Sequence, residues 1–170
     1  MYTLVPKWNP PFTSANCLSR VTQINAKCNC NRNTIAIGLL YYNNKDALLY
    51  HANTWNAYSL ELKSKFEFII VDDTSVIPAT HILSRYDFIN VFTIHPPKLK
   101  WNIGGGRNLV MHGAQSCWVV LMDLDYTINI PLANALLTID KSKLYNVYKF
   151  RRNNLKKPVH PALVLIHKHT

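Results

Sequence analysis

The chain has 170 residues, 48% of them apolar, and carries 19 Lys and Arg against 9 Asp and Glu for a net charge of +10. That length lets one domain bury a real core, and the balance is that of a soluble globular protein. No apolar run approaches the ~18 residues of a membrane span, and "MYTLVPKWNPPF" lacks the charged start and apolar stretch of a signal peptide, so no transmembrane segment and a cytoplasmic location are expected.

Residues 1–33 are rich in Asn, Ser and Pro, hold no sustained period, and are expected to form an irregular N-terminal extension. Cys17, Cys28, Cys30 and Cys117 fit neither a disulfide framework nor zinc-finger spacing, so reduced thiols are expected. "TIAIGLLYY" (34–42) reads as a buried strand, closed by "NNKD", a turn and helix-start signal. Leu48, Ala52, Trp55, Ser59 and Leu62 then recur at helical spacing and predict one helix over roughly 46–62. "FEFIIV" (66–71) is a second strand, closed by Asp72-Asp73-Thr74-Ser75. "YDFINVFTI" (86–94) is a third, broken by "HPPK". "GGGRNLVMHGAQS" (104–116) reads as a Gly-rich turn opening a helix, and "WVVLM" (118–122) as the fourth strand. A short helix is expected after Pro131, and "LYNVYKF" (144–150) and "ALVLIH" (162–167) are further strands. Strands alternating with helices predict one α/β domain over 34–170, a mostly parallel central sheet flanked by helices.

The net positive charge suggests an anionic partner: nucleic acid, a membrane surface or a phosphorylated small molecule. Its densest run, "KSKLYNVYKFRRNNLKKP" (141–158), suits either a solvated face or an acidic acceptor.

In an open α/β sheet, ligands bind beyond the carboxyl ends of the strands. Tyr42 and Asn43 end the first strand, Asp72 and Asp73 the second, Asp123 and Asp125 the fourth. Four of the nine acids therefore stand in two places. An ionised carboxylate costs several kcal/mol to bury unless it is paired, so these acids belong where the strands leave the core and face a cation. Taken singly, each piece has a plainer reading. An Asp-Asp pair caps turns, a tyrosine packs, and "GGGRN" is a loop as readily as a phosphate cradle. Gathered on one edge of one sheet, they describe a pocket. Asp125, with Asp123, offers hard oxygen ligands for Mn2+ or Mg2+. Tyr42 is placed to stack on a base, Asp72 or Asp73 to accept from base N–H or ribose hydroxyls, and Arg107 to pair with anionic oxygen. Such a pocket suits a nucleoside diphosphate compound with a divalent metal.

"TIAIGLLYYNNKDALLYHANTWNAYSLELKSKFEFIIVDDTS" resembles the opening of family-2-like glycosyltransferases of the GT-A fold, and "NIGGGRNLVMHGAQSCWVVLMDLDYTI" is similar to the Gly-rich, Arg-Asn helix and Asp-x-Asp motif of that family. The resemblance spans roughly 34–168 and implies a GT-A, Rossmann-like fold and transfer of a sugar from a nucleotide donor, with a UDP-sugar favoured, to an acceptor hydroxyl on a glycan, lipid or protein. It implies that Tyr42 and Asp73 hold the nucleobase, that Asn43 is among the substrate-binding residues and that Asp72 supports the turn. It further implies that Arg107 lies near the nucleotide, that Asp123 meets the ribose or the metal, and that Asp125 ligates the metal. In the family, an acidic motif carrying the catalytic base follows a segment like "HPALVLIHK"; here none of the nine acids lies after Asp140, and His160 is the nearest substitute. Two other readings compete. One is a nucleotide-sugar-binding module without turnover, or the donor-binding half of a longer enzyme. The other is a Mg2+-dependent nucleic-acid protein, against which stands the lack of a basic stripe interleaved with aromatics.

Overall fold

The computed structural model describes residues 30–94, 103–141, 147–149 and 163–168. In chain order the elements are β1 (Asn31–Tyr41), α1 (Lys45–Asn56), α2 (Leu60–Lys63), β2 (Phe66–Asp72), α3 (Ala79–Ile82), β3 (Ile89–Thr93), α4 (Ile103–Gly113), β4 (Ser116–Met122), α5 (Ile130–Leu137), β5 (Tyr148–Lys149) and β6 (Leu163–His167). The strands form one sheet in the order β3-β2-β1-β4-β6-β5. The four strands from β3 to β4 run parallel, while β6 is antiparallel to β4 and β5 antiparallel to β6.

Parallel strands with continuous apolar sequence need cover on both faces. α4 covers one face, over Ala36, Leu40, Ile69, Val71, Val119 and Leu121. The alternate residues, among them Ile35, Ile37, Leu39, Phe68, Ile70 and Val120, build the larger core on the other face with Leu48 and Trp55 of α1, Leu62 of α2 and Leu136 of α5. α4 lies directly on β1, and glycine makes that approach possible. A Cβ on Gly38 would stand 2.1 Å from Val110 Cγ1, and one on Gly106 would stand 2.6 Å from Leu40 Cδ2.

Several expectations need correction. The helix expected over 46–62 is two helices, because Ser59 does not line the apolar face: it is the N-cap of α2, with Oγ accepting from the Leu62 amide at 3.1 Å. A serine hydroxyl competes for backbone donors, and here that competition ends one helix and starts the next. β1 begins at Asn31, inside the stretch expected to be irregular, and residues 1–29 lie outside the described residues. The third strand starts at Ile89, because Tyr86 and its neighbours close a turn in which the Tyr86 amide donates to Leu83 O at 2.8 Å. The glycines of "GGGRN" are not a loop but the first turn of α4. Of the strand expected at 144–150, only Tyr148–Lys149 falls among the described strand residues.

The expectation of reduced thiols is also overturned at one pair. Cys30 and Cys117 form a disulfide with Cα atoms 5.0 Å apart, across a sequence separation of 87 residues. Spacing rules are blind to this pairing, which comes from strand register: Asn31 pairs with Ser116 across β1 and β4, bringing the two preceding and following cysteines together. No described helix is long and apolar enough to cross a membrane.

Candidate functional site

β2, β1 and β4 are adjacent and parallel, so their carboxyl ends leave the sheet at one edge. Tyr41 pairs with Asp72, and Leu39 with Met122, so Tyr42, Asp73 and Asp123 all emerge there. Beyond the strands the ladder runs on briefly: the Asp73 amide donates to Tyr41 O at 2.9 Å and the Ile94 amide to Asp72 O at 2.8 Å.

Much of the polar chemistry on the β1–β2 side serves the loops. Asp72 is 1% exposed, and its Oδ1 accepts from the Ser75 amide at 2.9 Å while Oδ2 accepts from the Ala79 amide at 2.8 Å. Charge-assisted bonds to backbone amides are what make a buried carboxylate tolerable. Asn43 has φ of 50°, in the left-handed region that Asn tolerates better than most residues. Its Oδ1 accepts from the Val76 amide at 2.7 Å, and its own amide donates to Ser75 Oγ at 3.0 Å. Thr74, with φ of 62°, donates from Oγ1 to Ile94 O at 2.9 Å. Tyr41 donates its phenol proton to Ile77 O at 3.1 Å, and burial pushes its pKa upward, keeping it neutral. The loops after β1 and β2 are thus stitched together. Tyr42 remains 44% exposed at the rim, with the backbone of buried Asp73 anchored beside it.

On the β4 side, Arg107 lies in the second turn of α4 and donates from Nη2 to Asp123 Oδ1 at 3.0 Å, the two side chains being 33% and 37% exposed. An ion pair that wet contributes only ~0–1 kcal/mol, so it orients the groups more than it stabilises the fold. The Arg107 Nε is buried and has no hydrogen-bond partner among the described residues. The Tyr126 amide donates to Asp123 O at 3.2 Å, closing the turn that presents exposed Asp125.

Sequence reasoning missed His51, which supports this turn from below. It is fully buried on α1, with Nε2 2.8 Å from the carbonyl oxygen of Leu124, the residue between the two acids. Burial pushes its pKa down, opposed in part by that carbonyl. The neutral ring that donates from Nε2 leaves Nδ1 as a buried acceptor without a partner among the described residues. The signal was present: His51 sits between Leu48 and Trp55 on the apolar face, where a polar group needs a partner.

A cavity of about 500 Å³ lies beside Ser59, Lys65 and Asn134. Lys65 directly precedes β2, so that cavity opens at the other end of the sheet from the acids and is not part of this site. His160 lies outside the described residues.

The acids suit a hard divalent ion. Mg2+ and Mn2+ prefer oxygen donors, and Mg2+ in particular is commonly held by one or two protein carboxylates with substrate phosphates completing the shell. Asp123 and Asp125 match that number of carboxylates, Asp123 half-buried and Asp125 exposed.

A parallel sheet wound in this order, with acids at the carboxyl ends of β2 and β4 and two antiparallel strands beyond, is the GT-A glycosyltransferase fold. The chain belongs to glycosyl transferase family 2, whose profile matches residues 36–160. The mannosyltransferase PcManGT from Pyrobaculum calidifontis, solved in complex with GDP-Man and Mn2+, is similar in fold over 79% of this chain and 42% of its own, with a TM-score of 0.55 and 16% identity. TarS from S. aureus in complex with UDP-GlcNAc overlaps 61% of this chain and 30% of its own at 21% identity, with a TM-score of 0.47. The chain spans less than half the length of either structure. No curated protein matches it.

Proposed function

We infer that the strand-end edge binds a nucleotide sugar, a UDP-sugar being favoured, as the donor side of a glycosyltransferase acting on an acceptor hydroxyl of a glycan, lipid or protein. The observation that carries this reading is the adjacency of β2, β1 and β4, which puts the Tyr42–Asp73 rim and the Arg107–Asp123 pair on one edge. Tyr42 stacks on the base, and Asp73 accepts from base N–H or ribose hydroxyls. Asn43 and Asp72 hold the two loops in place by their backbone contacts. The exposed part of the Arg107 guanidinium meets a diphosphate oxygen. Asp125, with Asp123, holds Mn2+ or Mg2+. When bound, the ion supplies Lewis-acid stabilisation of the charge on the departing diphosphate.

A second reading is donor binding by a part of a longer enzyme, favoured by coverage: the chain overlaps 42% of the mannosyltransferase it resembles in fold. General-base assistance is typically worth ~10²–10⁴-fold in rate, and His160 is the candidate for it within these residues.

The test is release of UDP from a UDP-sugar by the purified chain, with Mn2+ and a broad acceptor panel. Acceptor-dependent release supports transfer. Binding without release supports the second reading, and neither binding nor release contradicts both.

A further inference from the structure

Cys30, Cys117 and His167 meet at the end of the sheet opposite the acids. Cys30 directly precedes β1, Cys117 is the second residue of β4, and His167 is the last residue of antiparallel β6. One potential ligand atom from each lies within 4.8 Å of the other two, and among the described residues they are the one group of three or more such side chains so arranged. Cys117 and His167 are buried, Cys30 half-buried. The His167 ring packs edge-on against Trp118, 5.2 Å between centroids, which limits where it can turn.

We propose that, once the Cys30–Cys117 disulfide is reduced, the two thiolates and the His167 imidazole bind one soft divalent cation of the Zn2+ type, so that a metal ties the start of β1 to β4 and β6 where the disulfide ties it to β4 alone. Reduction takes two electrons and two protons from a dithiol, which is oxidised to its own disulfide. The cation then displaces the two thiol protons, and a water fills the fourth position. Tetrahedral zinc, with Zn–S of about 2.3 Å and Zn–N of about 2.0–2.1 Å, needs sulfurs about 3.8 Å apart and nitrogen about 3.5 Å from each. The Cα atoms of Cys30 and Cys117 lie 5.0 Å apart, and the three candidate ligand atoms already lie within 4.8 Å of one another, close to the spacing that geometry needs. Sulfur and imidazole donors also separate this ion from the Mn2+ or Mg2+ expected at the carboxylates, which are hard oxygen ligands.

The experiment uses the full chain with Cys17→Ser and Cys28→Ser, so that Cys30 and Cys117 are its two cysteines. It is reduced with dithiothreitol, desalted without air and titrated with Co2+ as the spectroscopic probe, then with Zn2+ in competition. The expected result is one Co2+ per chain, with a thiolate-to-metal charge-transfer band that Zn2+ abolishes and that the oxidised protein never shows. His167→Ala and Cys30→Ser should each weaken binding by more than about 100-fold, beyond the ~10–100-fold typical of a residue that only supports a ligand. Should these variants fail to fold, the reduced parent still decides, because Zn2+ must protect both thiols from iodoacetamide. No cobalt band, unprotected thiols in a folded chain, or unchanged affinity in folded His167→Ala would overturn the proposal.

Discussion

The imidazole of His51 on α1 lies 2.8 Å, through Nε2, from the carbonyl oxygen of Leu124, which stands between Asp123 and Asp125. The acidic turn is therefore held from both faces of the sheet, by His51 on one side and by Arg107 of α4 on the other. His51→Phe keeps the ring volume and removes the donor. It should cost about 1–3 kcal/mol in urea unfolding, the penalty of a carbonyl left without its buried partner. It should also weaken Mn2+-dependent nucleotide binding, because Asp123 and Asp125 flank the released carbonyl. Unchanged stability together with unchanged binding would remove His51 from the account.

The same ring gives a pH dependence with a definite sign. The folded pKa of His51 lies below its ordinary value, so at acidic pH the unfolded chain binds the proton more readily than the folded one. Its contribution to stability is complete above the unfolded pKa of about 6.5 and is lost as pH falls below it. Between about pH 7 and pH 5, the parent should lose more stability than His51→Phe, measured as the difference between their urea midpoints. Parallel pH profiles would contradict this.

Gly38→Ala tests how closely α4 lies on β1. The added Cβ would meet Val110 Cγ1 at 2.1 Å. Overpacking of this kind typically costs about 1–3 kcal/mol, and Val110→Ala in the same chain should recover part of it. Additive losses in the double variant, measured by thermal unfolding, would mean that the two residues do not collide.

Much of this was legible in the sequence because apolar runs and turn chemistry are local. The strands at 35–41, 66–71 and 118–122 declared themselves as continuous apolar segments, and the acids after two of them marked where those strands end. Ser59 was misread because helical spacing continues through it, while its capping role depends on one hydroxyl and one amide. The Cys30–Cys117 bond could not be read at all, because it depends on the register between strands 87 residues apart in sequence. His51 was overlooked for a related reason: its partner, Leu124 O, is a backbone atom 73 residues away.

Asp72→Asn separates loop support from ligand binding. The carboxylate accepts one backbone amide on each oxygen, whereas an amide side chain has one accepting oxygen and must turn an NH2 toward the other donor. A loss of about 1–3 kcal/mol is expected in chemical unfolding, with the β2–α3 turn more open to proteolysis. A neutral substitution would mean that the turn does not depend on both bonds.

The central claim, that the edge formed by β2, β1 and β4 binds a nucleoside diphosphate through a metal held by the acidic turn, is tested most directly by calorimetric titration of UDP into the chain with and without Mn2+, beside Asp125→Asn. Asp125 is exposed beyond the buried run, so the substitution should change stability by no more than about 0.5 kcal/mol. The account predicts one UDP per chain, bound in the presence of Mn2+ and lost in Asp125→Asn at an unchanged melting temperature. Binding of UDP that ignores both Mn2+ and Asp125→Asn, or no binding by the folded parent, would contradict it.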